Sequence, residues 1–210
     1  MFTCAECSVA ACRSGELDKM PKNCPMRDTA YFEQVLDEYL KPENHEFYLT
    51  SVAIEYLGYC RWPRVREIAE FARRMGYTRI GMGFCVGLHK EAAIVSRLLR
   101  KQGFEVVSVA CKTGAIPKTK VGYPEEMLLH PETYESMCNP IAQAQLLNRE
   151  KTQLNICFGL CVGHDSLFYK YCEAPVTTLV VKDRVTGHNP VAAVYCADGY
   201  FKDRVTIQED

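Results

Sequence analysis

The chain uses cysteine twice in the same phrase. Residues 80–87 read I-G-M-G-F-C-V-G and residues 156–163 read I-C-F-G-L-C-V-G, so Cys85 and Cys161 hold equivalent places, each followed by Val-Gly. In each copy an apolar run resembling a buried strand stops at the cysteine, and a helical pattern follows. A second apolar run then ends in a polar turn: E-V-V-S-V-A-C-K-T-G at 105–114 and V-T-T-L-V-V-K-D-R-V-T-G at 176–187. Open α/β sheets bind ligands at the carboxyl ends of their strands, so the repeat sets thiols where a ligand would lie. Two more cysteines share that placement. Cys111 closes the second run, and Cys138 precedes Asn139-Pro140, where the proline suits a first helical turn. The intervals of 26, 27 and 23 residues along Cys85, Cys111, Cys138 and Cys161 are too long for a zinc-finger knuckle. They suit one ligand from each successive α/β element. All-thiolate ligation favours an iron–sulfur cluster, [4Fe-4S] first, with zinc second. These four cysteines are therefore the expected cofactor ligands, and if only three bind, one iron is left open to a substrate.

Polar side chains flank this set. His89 and Lys90 follow the first Cys-Val-Gly, and His164 and Asp165 follow the second. Lys112 adjoins Cys111, Lys182-Asp183 holds the corresponding place in the second unit, and H-N-P at 188–190 echoes C-N-P at 138–140. Lys112, His89 and His164 are the expected catalytic residues, able to hold an anionic group or move a proton beside a metal. Each also has a plain reading as a solvated loop charge or a helix cap.

The amino-terminal segment carries a second constellation. Cys4, Cys7, Cys12 and Cys24 follow a C-x2-C-x4-C-x11-C-P spacing. Two thiolates on one tight turn can grip one ion, and a proline after the last ligand is a feature of ferredoxin-type runs. Residues 1–27 have little apolar periodicity and cannot build a core alone, so a metal is expected to order them. A four-iron cluster and a structural zinc both fit. The remaining four of the twelve cysteines, Cys60, Cys157, Cys172 and Cys196, sit inside apolar or aromatic patterns and read as small buried hydrophobes.

The elements that must position these residues are legible from periodicity. Strands are expected at 79–84, 105–110, 153–158 and 176–181. Helices are expected at 29–40, 46–59, 64–75, 90–102, 140–149 and 165–171, with a short one after Pro190. Strands alternating with helices indicate parallel βαβ units, and residues 112–137 read as a long loop. The expected fold is α/β: two Rossmann-like half-domains in a mostly parallel sheet, preceded by helices and a Cys-rich segment. The expected divisions are 1–27, 28–76, 77–137 and 138–210. A formal net charge of −1 gives no reason to expect nucleic acid or an anionic membrane as partner. No apolar run approaches the roughly 20 residues that span a bilayer, and polar residues begin at Thr3, without a signal-peptide pattern. A cytoplasmic protein is therefore the default expectation, and because disulfides are disfavoured in a reducing cytosol, twelve cysteines with short spacings read there as metal ligation.

On the strings C-A-E-C, K-N-C-P, G-F-C-V-G-L-H-K-E-A, M-C-N-P-I-A-Q-A-Q-L-L-N and G-L-C-V-G-H-D-S-L-F, the chain resembles a family of small proteins of archaea and anaerobic bacteria, domain of unknown function 1847. That resemblance spans nearly the whole chain and implies metal binding. More distantly, cysteines from successive α/β units around one cluster look like quinolinate synthase, the diphthamide enzymes and the thiouracil desulfidases, an analogy of architecture alone. Three functions stay open: a cluster-dependent enzyme acting on a small molecule by redox or Lewis-acid, desulfuration-type chemistry; an electron carrier or metal- and sulfur-handling accessory protein with a redox partner; and a zinc-stabilised binding module.

Overall fold

Alternation along the first strand, R-I-G-M-G-F, decides what each face of the sheet can hold. In the computed structural model, which describes residues 1–207, β1 (Arg79–Phe84) buries Ile80, Met82 and Phe84 on one face. Gly81 and Gly83 lie between them. Four strands, β1, β2 (Glu105–Ala110), β3 (Leu154–Phe158) and β4 (Val176–Val180), form one all-parallel sheet in the order β2-β1-β3-β4. Paired registers run Phe84 with Ala110, Phe84 with Phe158, and Asn155 with Val176. The first strands of the two repeated units thus pair with each other, and both units share one sheet. The chain leaves the β1–β3 pair in opposite directions, outward to β2 and outward to β4. Such a reversal is the switch point at which doubly wound sheets open a crevice.

Helices cover both faces. Ile68, Ala69 and Ala72 of α4 (Arg64–Arg74), with Leu88 and with Ala92 and Leu99 of α5 (His89–Lys101), pack on Ile80, Met82, Phe84, Leu154, Ile156 and Phe158. The other face takes Ala144 and Leu147 of α6 (Pro140–Arg149) and Phe168 of α7 (His164–Tyr171), against Cys157, Val107 and Val109. That approach is close because β1 offers no side chain there. A Cβ on Gly83 would overlap the Phe168 ring, and one on Gly81 would overlap the Asn155 side chain. Two buried amides brace the same face. Gln143 Nε2 donates to Phe84 O at 3.1 Å and Val109 O at 2.7 Å, tying α6 to the carboxyl ends of β1 and β2. Asn155 Oδ1 accepts from Thr152 Oγ1 at 2.8 Å. After β4 come two short helices, α8 (Val191–Tyr195) and α9 (Lys202–Val205).

The described chain divides into two compact units, Met1–Leu57 and the remainder from Gly58. In the first, α1 (Ala11–Ser14) precedes α2 (Thr29–Leu40), whose cap Asp28 accepts from Tyr31 N at 3.1 Å. The next helix, α3 (Pro42–Gly58), starts four residues earlier than periodicity suggests, because Pro42 fits a first turn. Ala11 and Ile54 are the buried apolar residues of this unit among those described, while Phe32, Leu36, Tyr39, Leu49, Val52 and Tyr56 stay exposed. No helix among the described residues is long and apolar enough to cross a membrane.

Gly83→Ala forces a methyl group into the Phe168 ring. It is expected to cost about 1–3 kcal/mol and to lower the melting temperature by several degrees. An unchanged melting curve would contradict the close packing of α7 on β1.

Candidate metal centre

The backbone sets the thiols before any side chain acts. Cys85 N donates to Phe158 O at 3.1 Å and Cys111 N to Phe84 O at 2.8 Å, so both cysteines prolong the strand ladder by one step. Because Phe84 faces Ala110, Cys85 and Cys111 stand at the same level on neighbouring strands. Cys138 arrives from the far end of a 26-residue connection, residues 112–137, whose ends are zipped together. Met137 N donates to Ile116 O at 2.7 Å and Lys118 N to Glu135 O at 3.1 Å, and the Lys118 and Glu135 side chains form an ion pair. Asn139 completes the closure. Its N–H donates to Cys111 O at 2.7 Å, its Oδ1 caps α6 through Ala142 N at 3.1 Å, and its Nδ2 reaches Thr113 O at 3.4 Å.

Cys161 is placed differently. Phe84 pairs with Phe158, so the second Cys-Val-Gly begins two positions further past its strand than the first. Gly159 makes the turn between them with φ +64°. Cys161 O then accepts from His164 N at 3.0 Å and Asp165 N at 3.1 Å, which starts α7.

The inner thiols interact chiefly with one another. The Cys111 thiol interacts with those of Cys138 and Cys85, and these neighbours together with burial push its own ionisation upward. The same interactions act in the opposite direction on the two neighbours. Cys85 falls to about 5, led by the Cys111 thiol and helped by the Gly87 N–H and Lys182. Cys138 also falls to about 5, again led by Cys111, with the charges of Lys112 and His164 assisting. Val86 N donates to Cys111 Sγ at 3.3 Å. Lys112 is held in place by a hydrogen bond from its Nζ to Ser136 O. Cys161 Sγ instead accepts from Arg184 Nη2 at 3.1 Å. The loop that presents Arg184 is built by Asp183. Its carboxylate accepts from Val185 N at 2.9 Å and Thr186 N at 3.0 Å, and its backbone exchanges hydrogen bonds with His188. These N–H donors, Thr186 foremost, hold the Asp183 carboxyl below its ordinary range.

Of the sequence-predicted polar residues, Lys112 and His164 therefore lie near the thiols. His89 is exposed, its ring 5.9 Å from that of Phe84, and is not among the groups acting on any thiol. Arg184 was not foreseen. Aligning K-T-G at 112–114 on V-T-G at 185–187 puts Arg184 opposite Cys111, and that substitution of cation for thiol was the available signal. Cys157 and Cys172 belong to the core face beneath α6 and α7, where desolvation raises both thiols to about 11. Cys60 and Cys196 are exposed rather than buried. Both stand at chain turns, Cys60 with φ +55° and Cys196 at the end of α8.

In the amino-terminal unit, Cys4, Cys7 and Cys24 line a small depression of about 30 Å³ with Thr3, Pro21, Asn23 and Pro25. Cys7 N donates to Cys4 O at 3.2 Å, closing the Cys-x2-Cys turn, and Asn23 Nδ2 donates to Thr3 Oγ1 at 2.8 Å, pinning the Cys24 segment against it. Arg27 holds the same segment through Pro21 O at 2.9 Å and Met20 O at 2.7 Å. Cys12, on α1, is exposed and lies outside that lining. No described cysteine is in a disulfide. Among the described residues, no group of three or more His, Cys, Asp or Glu side chains is disposed around a single metal ion.

Asn139→Ala removes the α6 cap and the tie to Thr113. It is expected to cost about 1 kcal/mol of stability, read as a lower denaturation midpoint. An unaltered midpoint would show that Cys138 is held by other means.

A family model described as "Protein of unknown function (DUF1847)" matches residues 24–179. An uncharacterized protein of Methanocaldococcus jannaschii is 42% identical over 192 residues, 91% of this chain and 93% of that protein. The repeated cysteine units and their sheet fall largely within the matched span, and the chain belongs to the domain of unknown function 1847 family.

Proposed function

We propose that the chain is an iron–sulfur protein whose inner cluster is held where β1, β2 and α6 meet, and that it acts there on a small molecule. The observation that supports this most is the meeting of Cys85, Cys111 and Cys138 at the carboxyl ends of β1 and β2, where Cys85 and Cys138 are depressed to about 5 while Cys111 is raised. Two sulfurs that give up their protons readily, beside a third thiol, call for a cationic partner, and soft ligation suits iron–sulfur chemistry.

When bound, such a cluster supplies one-electron chemistry and Lewis acidity. The chain's own residues supply the rest. The Val86 N–H donates to the Cys111 sulfur and the Gly87 N–H to the Cys85 sulfur, which stabilises negative charge there. Lys182, Lys112 and Arg184 offset the charge of several thiolates. His164 brings an imidazole close enough to act on Cys138. In the amino-terminal unit, Cys4, Cys7, Cys12 and Cys24 would hold a second metal, a cluster or zinc. With two buried apolar residues in that unit, the metal would supply much of its order, about 10 kcal/mol or more in comparable small sites. Unpaired cysteines in this number fit a reducing, cytoplasmic setting. A second reading, electron transfer to a partner protein, draws on Val86 and Val162, exposed beside Cys85 and Cys161.

The chain isolated without oxygen should contain iron and acid-labile sulfide and absorb visible light. Cys111→Ala should lose the inner share of both, and Cys24→Ala should lower the recovered yield. A colourless, zinc-only protein would contradict the proposal.

A further inference from the structure

We propose that Cys161 is not a ligand of the inner cluster but the free, substrate-facing thiol of that site, paired with Arg184 to receive a small, negatively charged electrophile. This rests on the iron–sulfur reading of Cys85, Cys111 and Cys138. Three separate observations set Cys161 apart. The strand register leaves it two positions beyond the level that Cys85 and Cys111 share. Its sulfur is met by Arg184 Nη2 at 3.1 Å, while the other three thiols meet one another. Cys161 and Cys138 are both half-buried, but the residue after Cys161, Val162, is 92% exposed, whereas Cys138 leads into Pro140 of the buried α6 face.

The chemistry follows from that placement. The Arg184 guanidinium stands at 3.1 Å from the Cys161 sulfur, a cation beside a nucleophilic atom. Arg184 is exposed and has five N–H donors in a planar fork. One is spent on Cys161, so the fork can hold anionic oxygens beside the sulfur. Lys182, which acts on Cys85 from the same loop, adds positive charge. In the reaction expected of this pair, the Cys161 thiol gives its proton to solvent, its sulfur forms a bond to the electrophilic atom, and the leaving group departs with the electron pair. No oxidant or reductant is consumed.

Iodoacetate and iodoacetamide test this directly, one anionic and one neutral. With either, a sulfur–carbon bond forms, the carbon–iodine bond breaks and iodide leaves. The chain with its metal bound should be alkylated at Cys161, located by mass spectrometry, while Cys85, Cys111 and Cys138 stay protected and the visible spectrum persists. Arg184→Gln should lower the iodoacetate-to-iodoacetamide rate ratio at Cys161 by about threefold or more, the scale of one exposed charge pair. Protection of Cys161 along with the other three, lifted only by removing the metal, would make it a ligand and overturn the proposal. An unchanged rate ratio in Arg184→Gln would overturn the pairing. If the isolated chain carries no metal and all four cysteines react, the iron–sulfur reading fails, and the rate ratio still decides the Cys161–Arg184 pair.

Discussion

The parallel pairing of β1 with β3 is the constraint on which the rest depends. It puts the first strand of each repeated unit at the centre of one sheet, and it sends the two following connections apart at their carboxyl ends. Central strands of a parallel sheet are covered on both faces, and β1 meets that demand with opposite means on its two sides. Ile80, Met82 and Phe84 fill one layer. On the other, Gly81 and Gly83 leave room for Asn155 and Phe168. Pressing α6 and α7 against the sheet in this way brings Cys138, at the start of α6, over the ends of β1 and β2.

Charge governs the next level. Cys111 is the neighbour common to Cys85 and Cys138, and its interaction with each favours their ionised forms. Negative charge there needs donors and cations that do not wander. Backbone N–H groups at Val86 and Gly87 are fixed by the turn that follows β1. Lys112 is anchored on Ser136 O, and Arg184 rides on a loop that Asp183 and His188 close. The amino-terminal unit has the complementary problem. Its cysteines sit on tight turns braced by Asn23 and Arg27, and Ala11 and Ile54 are its buried apolar residues among those described.

Much of this was legible in the sequence. The four strands and the helices from α4 to α7 follow from apolar periodicity and from Pro and Gly punctuation, and the strand-end placement of Cys85 and Cys111 follows from the strands. The helices α2 and α3 were also legible, but the apolar faces read for them are largely exposed, because periodicity reports a helix and not what covers it. What stayed hidden depends on register and long closure. Cys85 and Cys161 look equivalent in the sequence, yet strand pairing offsets them by two positions. Arg184 lies 23 residues after Cys161, and only the fold of the 182–188 loop brings its guanidinium to that sulfur. His89 sits next to the first Cys-Val-Gly in sequence, but its ring neighbours Phe84.

Iron K-edge X-ray absorption on the full chain, compared with Cys111→Ala, tests the central claim most directly. Iron surrounded by sulfur with a second shell of iron, reduced in amount when Cys111 is replaced, is the predicted result. A chain with no iron–iron scattering, or one whose spectrum and iron content are the same in Cys111→Ala, would contradict a cluster at the carboxyl ends of β1 and β2.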